Sequence, residues 1–243
     1  MEILYQDEHL VAVNKPSGLL VHRSMIDKHE TRFALQLVRN QIGQRVYPVH
    51  RLDKPTSGVL LFALDSETAR LLGQQFTDDK VHKQYLAVVR GYSAEYEVID
   101  YPLKRVLDKM TDVQADQDKQ AQAAVTEYVR LATAELAHPV GPYQTARYSL
   151  LQLMPKTGRK HQLRRHMKHI FHPIVGDTSH GDGRHNQFFR QQFECQRLLL
   201  AATAMSFQHP HTAVKVELRA SLDAVFEKII NELGWRESYQ RSL

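Results

Sequence analysis

The stretch His50-Arg51-Leu52-Asp53-Lys54-Pro55-Thr56-Ser57-Gly58 sets a carboxylate, Asp53, beside a guanidinium inside a run of turn-forming residues. Pro presets φ and Gly accepts backbone conformations closed to other residues, so Pro55, Ser57 and Gly58 predict a tight bend. The following residues, Val59 to Leu64, are Val-Leu-Leu-Phe-Ala-Leu, a short continuous apolar run that reads as a buried strand. Asp53 is therefore expected on a rigid bend at the lip of a core strand, facing a cleft. A carboxylate held there can attack as a nucleophile or transfer a proton. The plainer reading of an Asp beside an Arg is a turn former or a surface ion pair, and this stretch taken alone leaves both open.

A second concentration of chemistry lies between Lys156 and His172, where Lys156, Arg159, Lys160, Arg164, Arg165 and Lys168 accompany His161, His166, His169 and His172 with no acidic residue. Such a segment is an electrostatic footprint for phosphates, or else a solvated basic helix face. The histidine spacing of five, three and three lacks the paired i, i+4 arrangement of helical zinc sites. Cysteine and carboxylate partners are missing too, and the cations would repel a divalent ion, so no metal is expected. Cys195, the single cysteine, excludes an internal disulfide, suits a reducing compartment such as the cytoplasm, and reads as a core or loop residue.

The elements that must position these groups read as an α/β mixture without internal repeats. Ile3–Tyr5 and Leu10–Val13 predict short strands, followed by the loop Asn14-Lys15-Pro16-Ser17-Gly18. Helical spacing appears over Glu30–Ile42 and Ser66–Phe76, the latter with Asp65 or Ser66 as cap and Leu71, Leu72 and Phe76 inward. His82–Arg90, Ala123–Leu131 and Arg147–Met154 are strand-like, Thr157–Ile170 is expected to be helical, and Ser221–Leu233 reads as a terminal amphipathic helix. Asp108–Gln122, polar and poor in bulky residues, reads as a mobile loop. Strands dominate without regular βαβ alternation. The expected class is α+β, with a mixed, mainly antiparallel sheet and flanking helices.

At 243 residues, 42% of them hydrophobic, the chain can bury a large core as one domain. No apolar run is long enough for a membrane span, and the acidic start, Met-Glu-Ile-Leu-Tyr-Gln-Asp-Glu, is not a secretory signal. Lys and Arg outnumber Asp and Glu by 32 to 27, and fourteen histidines add latent charge, which favours a polyanionic partner.

The stretch from His50 to Gly58 resembles the signature His-Arg-Leu-Asp-x-x-Thr-Ser-Gly of the RluA-type pseudouridine synthases. Further segments match in order across most of the chain. Asn14–Gly18 looks like the family loop Asn-Lys-Pro-x-Gly, and Lys83–Gly91 like its strand Lys-x-Tyr-x-Ala-x-Val-x-Gly. Thr157–His166 is similar to its Thr-Gly-Arg-x-His-Gln-(Leu/Ile)-Arg-x-His segment, and Arg197-Leu198-Leu199-Leu200 to its last strand. Two departures bear on the lining of the pocket: Ala201 stands where the family often has His, and His180 where it often has Tyr, in Gly-Asp-x-x-His-Gly.

The resemblance implies the pseudouridine synthase catalytic fold with a central RNA-binding cleft, formed as a single domain over residues 1–243 without an N-terminal module of the S4 type. It implies breakage of the N1–C1′ bond of a uridine, rotation of the base and rejoining through C5. No atom is gained or lost, so no cofactor is expected, and the target base must leave its stack to be reached. Asp53 is implied as the essential carboxylate, attacking C1′ or removing the C2′ proton. In either role it must stay ionised while enclosed, which a guanidinium within about 4 to 6 Å favours, and Arg164 holds the matching family position. Tyr85 is implied as the ring against the flipped uracil, and Arg51 as the residue that enters the vacated place in the RNA stack. Lys83 and Lys15 are expected phosphate contacts, and His50 a structural hydrogen-bonding partner. Asn14–Ser24 and Gly176–Asp182 look most like the tRNA-directed group of the family, which acts on uridine 65 in the acceptor-side stem. A ribosomal-RNA or dual-specificity synthase and a catalytically silent RNA-binding protein are the alternatives. No membrane and no obligate protein partner are expected.

Overall fold

The computed structural model describes residues 1–22, 30–104 and 120–242. Most of the polar stretch read as a mobile loop, residues 108–119, lies outside the described residues, as do Arg23 and Ser24. The strands are β1 (Glu2–Gln6), β2 (Leu10–Lys15), β3 (Tyr47–Pro48), β4 (Ser57–Ala63), β5 (His82–Arg90), β6 (Tyr96–Asp100), β7 (Val125–Leu136), β8 (Ala146–Pro155), β9 (Leu200–Gln208) and β10 (Lys215–Arg219). The helices are α1 (Ala34–Ile42), α2 (Ser66–Thr77), α3 (Gln162–His169), α4 (Gly183–Phe193), α5 (Ala224–Glu232) and α6 (Arg236–Arg241).

Among the described residues the ten strands join one sheet in the order β1-β2-β4-β9-β5-β8-β7-β6, with β10 beside β9 and β3 beside β4. The β4–β9 pair is parallel and the other pairs are antiparallel, the expected mixed, mainly antiparallel arrangement. The sheet is covered on both faces along its centre, which is why its strands read as continuous apolar runs rather than alternating ones. In β4, Val59 and Leu61 pack towards Leu72 of α2 while Leu60 and Phe62 pack towards Val38 of α1. In β5, Leu86 and Val88 share a core with Phe189 of α4 and Phe226 of α5, whereas Ala87 and Val89 meet Leu163 and Met167 of α3.

Several boundaries differ from the expected ones. Helix α1 starts at Ala34 rather than Glu30, because Phe33 is extended and bridges Leu20. Only Gln162–His169 of the predicted 157–170 helix is helical. Ahead of it, the Gln162 side chain accepts from the Arg159 N–H and the Thr157 hydroxyl, at 2.9 and 2.7 Å, and so holds residues 157–161 as a loop. The helix predicted over 221–233 is not terminal: capped by Asp223, it spans Ala224–Glu232 and is followed by α6. Helix α4 was not anticipated, because its buried Phe188, Phe189 and Phe193 crowd one end and give no sustained period.

The register places the chemistry. Gly58 faces Ala202 across the parallel pair, and Ala202 faces Tyr85 on the other side, so β9 sets Tyr85 two strands from the end of the Asp53 turn. Gly58 has φ +110°, and a Cβ there would lie 2.0 Å from the Ala202 carbonyl oxygen. Only glycine permits this close approach. Gly58→Ala is expected to lower unfolding stability by at least about 3 kcal/mol, through backbone strain together with the clash, as measured by urea denaturation.

Candidate active site

Asp53 sits on a bend closed by the Thr56 N–H donating to its own carbonyl at 3.0 Å. A second loop braces that bend from beneath. The Gly18 N–H donates to the Lys54 carbonyl at 2.9 Å and the Ser17 hydroxyl to the Pro55 carbonyl at 2.7 Å. Lys15, fully buried, directs its ammonium at the carbonyls of Pro16, Leu19 and Lys54, at 2.9, 2.8 and 3.2 Å. Burial, reinforced by the nearby Arg197 guanidinium, pulls that ammonium down to about 7. The expected phosphate contact by Lys15 is therefore corrected: with no exposed surface it cannot meet RNA, and it ties the two loops together instead.

The Asp53 carboxylate, 18% exposed, accepts through Oδ2 from Arg164 Nη1 at 3.1 Å. Arg164 lies 111 positions later in the chain and reaches this point from the first turn of α3. Its guanidinium is held on the other side by Asp177, through Nε at 2.7 Å and Nη2 at 2.8 Å. Burial opposes the Arg164 charge, but Asp177 and then Asp53 outweigh it and hold the guanidinium above its ordinary range. Burial likewise opposes the Asp177 charge. The Arg164 hydrogen bonds and the backbone N–H groups of His180 and Ser179 overcome it and hold the carboxyl below its usual value. The sequence holds no signal for this role of Asp177, because an acid in a Gly-Asp turn carries no sign of a partner thirteen residues upstream.

A cleft of about 660 Å³ opens over Asp53. Tyr85, Lys83, Arg51 and Arg164 all line it, so the structure brings together the site residues read from the sequence. Arg51 is exposed at the lip and Lys83 half-buried in the wall. Burial pulls the Lys83 ammonium below its ordinary value, with Asp79 acting the other way. Burial, with Asp53 adding to it, raises the Tyr85 phenol well above its usual range and keeps it protonated. Ala201 packs into the core beside Leu86 and not onto the cleft, so its departure from the family pattern leaves the lining untouched. His180 does bear on the cleft, through a contact at 3.1 Å between its Nε2 and Nδ1 of His161.

His50 accepts from the Leu61 N–H through Nε2 at 3.0 Å and stacks on Phe76 at 5.1 Å between ring centroids. Burial, with Lys83 nearby, lowers it to about 3, so the ring is neutral and anchors the turn to β4. The other histidines of the basic segment make separate contacts: His166 meets Thr126 and the Tyr101 carbonyl, His169 stacks on the Tyr101 ring, and His172 meets the Arg90 carbonyl. Elsewhere among the described residues, His9, Asp65 and His211 bring ligand atoms within 4.8 Å of one another. The two imidazoles are stacked at 3.8 Å and 20°, however, and in-plane lone pairs on near-parallel rings cannot converge on one ion.

A carboxylate, a fixed guanidinium, a protonated phenol and a cation-lined wall meet in one cleft, an arrangement suited to a polyanion. Residues 9–169 match the RNA pseudouridylate synthase family. The tRNA pseudouridine synthase C of Vibrio cholerae is 56% identical, covering 98% of this chain and 98% of that protein. The protein of the same name from Haemophilus influenzae is 55% identical, covering 97% and 98%. Among solved structures, human RNA Pseudouridylate Synthase Domain Containing 4 superposes with a TM-score of 0.69 at 26% identity, covering 96% of this chain and 93% of that one. Human RNA Pseudouridylate Synthase Domain Containing 1 has the same TM-score at 23% identity, with 96% and 94% covered, and supports the fold. The chain belongs to the RNA pseudouridylate synthase family. It is an isomerase that converts uridine in RNA to pseudouridine.

Asp177 supports a test that needs no RNA. A carboxyl held below its ordinary value contributes stability that is fully present above about pH 4 and is lost as the pH falls through the lower native value. Asp177→Asn leaves Arg164 buried with half its compensation, which is expected to cost about 3 kcal/mol at pH 7. Urea titrations across pH 2 to 7 should show the acid limb of stability flattened in this variant.

Proposed function

We propose that the substrate is tRNA and the target uridine 65 in its acceptor-side stem, with Asp53 as the reacting carboxylate. The observation that carries the catalytic part is Asp53 enclosed at the floor of the cleft with one oxygen held by Arg164. The tRNA part is supported by relatives at 55–56% identity named tRNA pseudouridine synthase C, and by the likeness of the Asn14 and Gly176 loops to the tRNA-directed group. A tRNA substrate supports a cytoplasmic location.

The chain's own residues divide the work. Extruding a stem uridine costs pairing and stacking. Arg51, exposed at the lip, fills the vacated place, and Tyr85 meets the extruded base, where aromatic contact is worth about 1 to 3 kcal/mol. Lys83 and the cations of the 156–172 segment hold phosphates. A-form RNA hides its base edges, so this recognition is of shape and backbone. With Oδ2 of Asp53 on Arg164, Oδ1 is left to meet the sugar, either attacking C1′ or taking the C2′ proton. N1 leaves C1′ in that step, and as C5 then bonds to C1′ the carboxylate departs or returns the C2′ proton; loss of the C5 proton and gain of one at N1 restore the uracil ring. No redox partner or group donor enters.

Tritium release from [5-³H]uridine in defined tRNA and ribosomal-RNA transcripts tests this reading. Stoichiometric release from a tRNA is expected, abolished by Asp53→Asn with RNA affinity little changed. Release that survives the substitution refutes the role of Asp53, and release confined to ribosomal RNA refutes the substrate. RNA affinity should also fall steeply between 50 and 200 mM salt, with each phosphate contact by Lys or Arg adding about 0.9 to the slope of log K against log salt. A salt-insensitive affinity would remove the basic segment from the RNA face.

A further inference from the structure

Arg164 secures only one oxygen of Asp53. The other, Oδ1, faces His161, whose Nε2 stands 3.9 Å away, while Nδ1 of the same ring lies 3.1 Å from Nε2 of His180. The two rings meet edge to face at 5.3 Å and 73°. His161 occupies the N-cap position of α3 but makes no side-chain cap, and its backbone is left-handed, with φ 55°. A non-glycine residue in that conformation is uncommon, and such conformations cluster where the surrounding structure fixes a side chain for a task. His180 is itself anchored: its backbone N–H donates to Asp177 Oδ1 at 2.9 Å, so the carboxylate that clamps Arg164 also places the histidine pair.

We propose that His161, its tautomer set by His180, is a second positioning residue for Asp53, presenting an N–H to the oxygen that Arg164 leaves free. The proposal rests on Asp53 being the reacting carboxylate. Its logic is a count of hydrogens. Burial lowers His161 to about 4, with Asp53 acting against the shift and Arg164, His180 and Lys160 adding to it. Burial lowers His180 as well, against Asp177 and with the help of Arg164, Lys168 and Arg165. Both rings are therefore neutral at pH 7, and each carries one N–H. The Asp53 carboxylate favours the hydrogen of His161 on Nε2, which leaves Nδ1 as an acceptor. His180 must then donate from Nε2. The 3.9 Å separation exceeds a hydrogen bond, and contacts of this kind tighten when substrate closes the site.

Two readouts test the arrangement. In long-range ¹H–¹⁵N spectra of the native chain at pH 7, His161 should be neutral and protonated at Nε2; an Nδ1–H tautomer or an imidazolium would overturn the proposal. In kinetics, His161→Asn, which tolerates the left-handed backbone but is too short to reach, and His180→Phe should each lower kcat about 10- to 100-fold, the range of one hydrogen bond to a charged group. KM should stay within about twofold, as expected when an interaction matters mainly in the transition state. His180→Gln, which can still donate to Nδ1, should restore kcat to within about threefold of wild type. An unchanged kcat, a loss expressed in KM, or failure of Gln to rescue would refute it. Because Asp53→Asn is assayed in parallel, failure here with an inactive Asn variant removes the histidine pair and leaves the role of Asp53 standing.

Discussion

A guanidinium with almost no contact with solvent must be neutralised on every side, and Arg164 shows how that requirement organises the molecule. Its fork is divided between Asp177, which takes two nitrogens, and Asp53, which takes one. Charges buried in this way stabilise little in themselves but are costly to separate, because losing one partner strands the other in a low-dielectric interior. Helix α3, the Asp53 turn and the Gly176 loop thus have a single mutual arrangement in which the guanidinium meets both carboxylates. One result is an Asp53 carboxylate fixed through a single oxygen at the wall of the cleft.

The sheet supplies the rigidity that this arrangement needs. β4 and β5 are both packed on two faces, and β9 between them sets the separation of Gly58 and Tyr85 through Ala202. The Asn14 loop, tied beneath the Asp53 bend by the buried Lys15 ammonium, removes the freedom that a surface turn would otherwise keep. Placing Asp53 and Tyr85 against core strands trades the adaptability of a loop for precision, which suits a site whose groups must be held within a fraction of an ångström.

The walls of the cleft divide the electrostatic labour. The cations of the α3 segment and Lys83 suit the phosphates of a polyanion, while burial keeps His50 and His161 neutral and Tyr85 protonated. Uncharged groups next to the Asp53 carboxylate avoid competing with the ion pair that fixes it. The cleft attracts RNA over its surface and keeps its floor electrostatically simple.

Much was legible in the amino-acid order. Continuous apolar runs such as Val59–Leu64 mark strands buried on both faces, Pro and Gly mark the bend before them, and ordered short motifs identify the family and nominate Asp53, Tyr85 and Arg164. Local pattern is enough for these, because turn chemistry and strand burial are properties of neighbouring residues. It misjudged Lys15, whose side chain looks like any surface lysine until the nearby carbonyls of Pro16 and Leu19 and the distant one of Lys54 enclose it. It also missed α4, whose apolar residues bunch instead of repeating. Asp177 and the contact of His180 with His161 were beyond its reach altogether, since their roles come from the 176–182 loop folding back onto the start of α3. Which carboxylate shares a guanidinium, and which imidazole faces which oxygen, are settled by long-range packing, because electrostatic partnership depends on distance in space and on exclusion of water, and neither is encoded in separation along the chain.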